Sequence, residues 1–365
     1  MEETLRLQSS QLPIFLTSNA SGIQNLNVNI ETCLKWGVLG AGSVAQRRAM
    51  PAIQKADGAE LHALLSRDAA RAERLANEYG ATNAYTTVDA LFADDILDAV
   101  YVSTPVHLHC EQVIAAAERG LHVLCDKPMA LTPQECTEMI AACEANGVHL
   151  QICFLFRFHS CFQQIRTWID HGRFGEIVHG RMPFLKQYQL TPDEWRAQPE
   201  KGGGGCFMDL GPHSVDLLRY LIGEVNAVSA FHSSTRQDTA VEETGGIFMR
   251  FDNGAQAFTD LSFSVPQCDI VLELYGTQGT VWVYNDDGWK IKTYFDGEQQ
   301  LIPSQYEDLY QHQFEHFAEC VEKGVTPITT GTDGLRANEI LAAAYRSGQT
   351  GQVVPCPPAE CRQVR

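Results

Sequence analysis

The sequence predicts an α/β protein in two parts, a doubly wound parallel sheet followed by a domain built on a mainly antiparallel sheet. Three observations carry this. From Leu34 to about residue 156, short apolar runs alternate with amphipathic stretches, the pattern of strands and helices that covers a parallel sheet on both faces. Beyond residue 157 the segments GIFMRF, AQAFTDLSFSV, DIVLELYG and TVWVYN arrive with the turn signals DNG, GTQG and NDDG between them, the signature of antiparallel strands. A chain of 365 residues with 44% hydrophobic content is also more consistent with two domains than with one.

Residues 1–33 are polar and aperiodic and are read as a loose extension outside the fold. They hold Glu2 and Glu3 with only Arg6 as a base, unlike a mitochondrial transit peptide, and the run LPIFL is too short for the apolar core of a secretion signal. The first domain, 34–156, then reads as LKWGVLG, the helical SVAQRRAMPAIQKA, ELHALLS, DAARAERLANEY, LDAVYVST, HCEQVIAAAERG, LHVLCDKP, a helix after Thr132, and HLQICFLF. The second domain, 157–365, opens with one more helix, passes through the antiparallel segments, and closes with helices around Tyr306 to Glu322 and Asp333 to Arg346. That closing segment is a candidate to return to the first domain. There is no internal repeat.

Composition excludes several roles. A formal charge of -18 with no offsetting basic stripe argues against nucleic acid or an acidic membrane surface as a partner. No apolar run approaches the roughly 18 residues that span a bilayer, so the cytoplasm is the default location. The 12 cysteines are scattered, without a CxxC pair or metal-ligand spacing, and read as buried reduced thiols; no metal site is expected. A small-molecule partner is favoured.

The stretch GVLGAGSVA places Gly40, Gly42 and Ala45 in a GxGxxA pattern after a strand and at the opening of a helix. Gly40 permits the tight turn, Gly42 lets backbone approach a pyrophosphate, and Ala45 allows close helix packing, while the helix N-terminus at Ser43 and Val44 offers amides to the anion. The pattern predicts dinucleotide binding. At the end of the second strand, where an NAD enzyme places an acid on the ribose 2′-hydroxyl, the sequence reads Ser66-Arg67, with Arg71 a turn further. A hydroxyl and guanidinium groups suit a 2′-phosphate, so NADP is expected over NAD; Asp68 is assigned as a helix N-cap. Asp126 and Lys127 close the strand LHVLC and emerge at the ligand-binding edge of the sheet. In KGGGGCFMDLGPHSVDLLRYL a helix is expected from near Asp209 to Gly223, putting Asp209 and His213 at i and i+4 on one face.

Four ordered motifs, GVLGAGSVA, STPVHLH, DKPMALT and GGGGCFMDLGPHSVD, together resemble the Gfo/Idh/MocA oxidoreductases, which include glucose-fructose oxidoreductase and inositol dehydrogenase. The likeness runs from Leu34 onward. It implies a Rossmann domain followed by an α/β domain whose open antiparallel sheet builds homodimers or homotetramers. It further implies Lys127 beside substrate and nicotinamide, His213 as acid/base and Asp209 nearby, with Thr104 and Pro105 as backbone near the nicotinamide. Asp126 departs from the glutamate usual in the family.

The implied activity is hydride transfer between nicotinamide and a sugar, polyol or related carbohydrate. An imidazole near pKa 6.5 suits removal of a hydroxyl proton, Lys127 suits a developing alkoxide, and Asp209 is expected to orient the ring or bind another hydroxyl. Trp195, Arg196 and Asp216 flank these residues and are candidates to contact a sugar face and its hydroxyls. His107 and His109 are read as capping and packing groups, His109 also at the cofactor wall. His312 and His316 are read as a core or surface pair, and Gly202 to Gly205 as backbone that approaches substrate. Phe258, Leu261 and Phe263 are expected on a sheet that oligomerises. Two rival functions are an NAD-dependent redox glycosidase of the same family, disfavoured by Lys127, and a non-catalytic dinucleotide-binding regulator.

Overall fold

The computed structural model describes residues 33–234, 238–305 and 307–356. All of the N-terminal extension except Cys33 lies outside the described residues, as does Tyr306. The first sheet holds β1 (Leu34–Leu39), β2 (Ala59–Leu65), β3 (Asn83–Tyr85), β4 (Ala99–Val102), β5 (His122–Cys125) and β6 (Leu150–Ile152). Its order is β3-β2-β1-β4-β5-β6 and every pairing is parallel. The order reverses between β1 and β4, and ligands of such sheets bind at the carboxyl edge of that switch point.

The connecting helices are α1 (Met50–Ile53), which continues a π-helical turn at Ala45–Ala49, then α2 (Ala69–Tyr79), α3 (Val88–Phe92), α4 (His109–Glu118) and α5 (Pro133–Ala145). Their limits follow from local chemistry. Asp68 caps α2 by accepting from the amide of Arg71 at 2.7 Å, and Gly80 ends it at φ 71°. Thr132 and Glu135 form a capping box at the start of α5, with Pro133 in its first turn. Val100, Val102 and Val123 pack beneath α4 and α5, whereas Trp36, Val38, Leu64 and Tyr101 pack on the opposite face with α1 and α2. Covering on both faces is why these strands are continuous apolar runs.

The rest of the chain forms α6 (Ser160–Asp170), β7 (Ile177–Arg181), β8 (Phe184–Leu185), α7 (Pro199–Gly202), α8 (Cys206–Asp209) and α9 (Gly211–Ile222). Strands β9 (Val225–Ser233), β10 (Thr244–Phe251), β11 (Gln256–Ser262), β12 (Ile270–Gly276), β13 (Gly279–Asn285), β14 (Trp289–Phe295) and β15 (Glu298–Pro303) follow. Then come α10 (Leu309–Lys323), α11 (Gly331–Thr350) and β16 (Val354–Pro355). The second sheet runs β15-β14-β13-β12-β7-β11-β10-β9-β16. It is mixed: β7 and β8 run parallel to β11 and the other pairings are antiparallel.

One face of this sheet, with Ile247, Met249, Leu261, Leu272 and Val281, is buried in the core that also takes Leu217, Leu218 and Leu221 of α9. The other face carries Phe248, paired with Phe258 on β11, and Phe231, which is 76% exposed. Phe258, Leu261 and Phe263 thus divide between the two faces. Residues three apart on a strand point to opposite sides, so Leu261 and Phe263 are buried while Phe258 faces outward.

Helix α10 returns to the first sheet. Phe314 meets Trp36 edge-on at 4.9 Å between ring centres, Phe317 lies 5.4 Å from the same indole, and Phe314 also reaches Tyr101 at 5.8 Å.

Candidate active site

A cleft of about 1120 Å³ runs from the carboxyl edge of the parallel sheet to α8 and α9. Of the residues expected at the site, Asp216 and two of the four consecutive glycines, Gly203 and Gly205, do not line it; the others do. Its first end is made of backbone. Gly40 has φ +88°, and a Cβ there would stand 2.8 Å from the amide nitrogen of Thr104 and 2.9 Å from the carbonyl of Ser103. At Gly42 a Cβ would meet no protein atom nearer than 4.0 Å, so that glycine keeps open a space that the protein itself does not fill. Ala45 is fully buried against the sheet. The turn therefore fits a pyrophosphate lying against Gly42 with the amides of the following helix.

Ser66 and Arg67 stand beside this turn. Arg71 sends one guanidinium arm 2.8 Å to the carbonyl oxygen of Ala41, bracing the glycine turn, which leaves its other arm for a ligand. The carboxylate of Asp68 is committed to its cap, so the corner presents cations and a hydroxyl. Arg47, Thr86 and Thr87 also line this end and carry no motif that announces them.

In the middle of the cleft, His109 bridges the loops that follow β4 and β5. Its Nε2 lies 2.9 Å from the carbonyl oxygen of Thr104 and its Nδ1 3.1 Å from that of Pro128. Both partners are carbonyl oxygens, so the single N–H of the neutral ring donates to one of them while the ring packs against the other, tying Thr104 to the Lys127 loop. Asp126 turns back to accept from the amide of Lys127 at 2.8 Å.

The far end is made of side chains. Lys127 Nζ donates to the carbonyl oxygen of Asp209 at 2.6 Å and lies 3.2 Å from its Oδ1. Lys186, just beyond β8, donates to Oδ2 at 3.0 Å, and Arg196 Nε stands 3.7 Å from Oδ1. Burial opposes ionisation of Asp209, but Lys127, Lys186 and Arg196 outweigh it and hold the carboxyl well below the usual carboxylate range. The ring of His213 packs 5.5 Å from Phe156 and 5.7 Å from Phe184, and its buried Nδ1 finds no hydrogen-bond partner among the described residues. Burial, then the charge of Lys127, push this imidazole well below its ordinary value, with Asp209 opposing and Lys186 assisting.

Several expectations are corrected here. Asp209 does not orient the His213 ring by a hydrogen bond; it is held by the two lysines instead. No single helix runs from Asp209 to Gly223, because the chain breaks at Leu210 between α8 and α9. Pro212 has no N–H to offer an earlier carbonyl, and sits where proline is tolerated, in the first turn of a new helix. Asp216 is 1% exposed and clamped by Arg157, whose Nε and Nη2 donate to its two oxygens at 2.9 and 2.5 Å. Burial, opposed by Arg157, pushes its carboxyl up to about 6, and it does not reach the cleft.

In the glycine run, Gly202 and Gly204 line the cleft, and the run is also packed closely within the protein. A Cβ at Gly204 would fall 1.9 Å from the hydroxyl of Tyr345, and one at Gly205 1.8 Å from the carbonyl oxygen of Glu242. Glu242 itself, absent from the sequence reading, accepts from the amides of Gly205 and Phe207 at 3.0 and 2.8 Å and so fixes the start of α8. Lys186 and Arg157 were equally invisible, since each lies far along the chain from its carboxylate. His316 is half-buried and bonded within the protein, accepting at Nε2 from the amide of Ile328 at 3.0 Å. Among the described residues no cluster of three or more His, Cys, Asp or Glu is placed to hold a metal, and no helix is long and apolar enough to cross a membrane.

Residues 34–154 match the model of an oxidoreductase family with the NAD-binding Rossmann fold. With the glycine turn, the switch-point cleft and the charged far end, this defines an NAD(P)-dependent oxidoreductase. Residues 162–282 match the GFO/IDH/MocA C-terminal domain, and the chain belongs to the Gfo/Idh/MocA family. D-xylose 1-dehydrogenase (NADP(+)) 2 from Haloferax volcanii is 31% identical over 335 residues, covering 88% of this chain and 99% of that protein. The 1,5-anhydro-D-fructose reductase of Ensifer adhaerens is 31% identical, covering 87% of this chain and 97% of that protein. The solved aldose-aldose oxidoreductase from Caulobacter crescentus, complexed with glycerol, is 30% identical with a TM-score of 0.82, covering 88% of this chain and 99% of that one.

Proposed function

We propose that the chain oxidises or reduces a sugar, polyol or related carbohydrate at a carbon bearing a hydroxyl or carbonyl, with NADP preferred over NAD. The observation that carries this is the convergence of Lys127, Asp209 and His213 at the end of the cleft opposite the Gly40–Gly42 turn. The activities of the relatives, a xylose dehydrogenase and an anhydrofructose reductase, support the substrate class. When bound, the nicotinamide takes or gives the hydride. His213 meets the substrate hydroxyl as a neutral base, because burial and neighbouring cations keep it unprotonated at neutral pH, and a ring nitrogen receives the proton. Lys127 offers its ammonium to the substrate oxygen as that oxygen gains negative charge, and Asp209 holds the ammonium in place. Phe156 and Phe184 shield the imidazole from water. Ser66 and Arg67 at the nucleotide end support the NADP preference.

The test is a screen of sugars, polyols, inositols and ketosugars with both cofactors, followed at the nicotinamide absorbance. Turnover with at least one is expected; none with any would favour the regulator. The exposed Phe231 and Phe248 support a homodimer or homotetramer assembled on the outer face of the second sheet. Light scattering that returned a monomer of about 40.5 kDa would overturn that assembly. Cytoplasmic residence is the proposed location.

A further inference from the structure

The far end of the cleft carries more cationic side chains than the proposed chemistry requires. A lysine to meet developing alkoxide and a carboxylate to hold it balance one another, as Lys127 and Asp209 do. Here the same carboxylate also faces Lys186 at 3.0 Å and Arg196 at 3.7 Å, and the imidazole beside it is neutral. Three cations thus share one carboxylate, and neither Lys186 nor Arg196 has an ion-pair partner of its own apart from Asp209 among the described residues.

The two extra cations come from separate segments, Lys186 from the strand end after β8 and Arg196 from the turn Trp195–Ala197. Both remain available to a ligand, with side chains 40% and 31% exposed on the cleft. The guanidinium of Arg196 rests 4.2 Å over the ring of Trp195 and donates no hydrogen bond among the described residues. The remaining acids at this end, Asp193 and Glu194, form no ion pair with either cation among the described residues. Glu194 instead accepts from the hydroxyls of Tyr188 and Thr191 at 2.8 and 3.2 Å. The chain as a whole carries -18, so two cations exposed on one cleft are not part of a generally basic surface.

We infer that this end of the cleft takes a carbohydrate bearing an anionic group, a carboxylate or a phosphate, held between Lys186 and Arg196. The planar fork of Arg196 matches either anion through paired donors, and Lys186 adds a mobile point charge. The trio of Lys127, Asp209 and His213 is left free for the reacting carbon. The inference rests on the carbohydrate oxidoreductase reading above, and deepens it by naming the substrate class.

Calorimetric titration of the NADP-loaded protein tests it. The ligands are matched acid and neutral pairs, glucuronate with glucose, galacturonate with galactose and gluconate with glucitol, and a separate phosphate arm of glucose 6-phosphate, each at low and high salt. The same compounds are then assayed for turnover. At least one acid or the phosphate is expected to bind about 10- to 100-fold more tightly than its neutral counterpart, with the advantage shrinking in high salt. Lys186→Met and Arg196→Leu should each remove most of that advantage, while NADP affinity, measured separately, reports that the variants are folded. The carboxylate and phosphate arms tell the two anion sources apart. Neutral sugars that bind as tightly as every anionic partner, or variants that weaken neutral and anionic ligands equally, would overturn the inference. An acid that binds tightly without nicotinamide turnover sinks the oxidoreductase reading and leaves the anion site standing. A neutral sugar turned over with no acid bound does the reverse.

Discussion

The two ends of the cleft are built from different materials. The end proposed for the nucleotide is built on a turn of backbone, Gly40 to Val44, whose shape is set by local dihedrals and by the glycines' lack of side chains. The end proposed for substrate is five side chains, Lys127, Lys186, Arg196, Asp209 and His213, brought from four stretches of the chain and held by ion pairs and aromatic packing. The first kind of site is vulnerable to added atoms and the second to removed ones. A binding surface that must accept an invariant cofactor can be made of backbone, whereas one that moves a proton needs groups with tuned charge.

The sharpest test of the contrast is removal at the substrate end. His213→Ala should lower kcat by about 10² to 10⁴ while leaving dinucleotide affinity nearly unchanged. Because the imidazole of the native protein is held below its ordinary value, the acid limb of the kcat/KM profile should lie below pH 6.5. A variant with parent-like turnover across pH would assign the proton transfer elsewhere.

Next in size is a change of charge at the nucleotide end. Ser66→Asp combined with Arg67→Ala should shift the ratio of kcat/KM for NADP over NAD by roughly 10²-fold toward NAD, through lost attraction and new repulsion at the 2′ corner. The measurement is made at fixed ionic strength, since salt screens it. A parent enzyme that already favours NAD would break the assignment.

Addition at the backbone end should be milder. Gly40→Ala forces a Cβ against the backbone of Ser103 and Thr104 at positive φ, and should weaken dinucleotide binding by about tenfold or more, a strain of roughly 1 to 3 kcal/mol. Fluorescence titration of the cofactor reads it; unchanged affinity would mean that the turn has slack.

The smallest expected effect lies outside the cleft, in the first sheet. Burial, followed by His149, lowers the imidazole of His122 to about 4, with Asp98 opposing, and its Nδ1 accepts from the amide of His149 at 3.0 Å. A group with a depressed folded pKa is protonated first in the unfolded chain as pH falls. Its stabilising contribution is therefore present above about 6.5 and is lost between 6.5 and 4. Thermal melts should show the Tm falling by a few degrees across that window, and His122→Asn should flatten the slope. An identical slope in the variant would place the acid sensitivity in other groups, such as His213.

How far each end could be read beforehand follows from the same contrast. A backbone site is local, so the glycine turn, the Asp68 cap and the Ser66-Arg67 corner were legible in consecutive residues. Asp209 and His213 were legible as residues of one motif, but not the break between their helices, since the packing that seats Gly211 against Leu341 is tertiary. Lys186 lies 23 residues before its carboxylate and Arg157 59 before Asp216, and no periodicity joins such pairs. Asp216 was assigned to substrate on proximity alone, and a buried guanidinium claimed it first.

Helix α10 imposes an order on synthesis. The face of the first sheet that holds Trp36 and Tyr101 is complete once β6 has left the ribosome, but Phe314 and Phe317, which cover it, lie more than 150 residues further along the chain. At about 5 to 20 residues per second, that face waits roughly 8 to 30 s for its cover. During translation the nascent first domain therefore presents an aromatic surface of the kind that chaperones bind, and a chain truncated at Phe154 would keep it permanently.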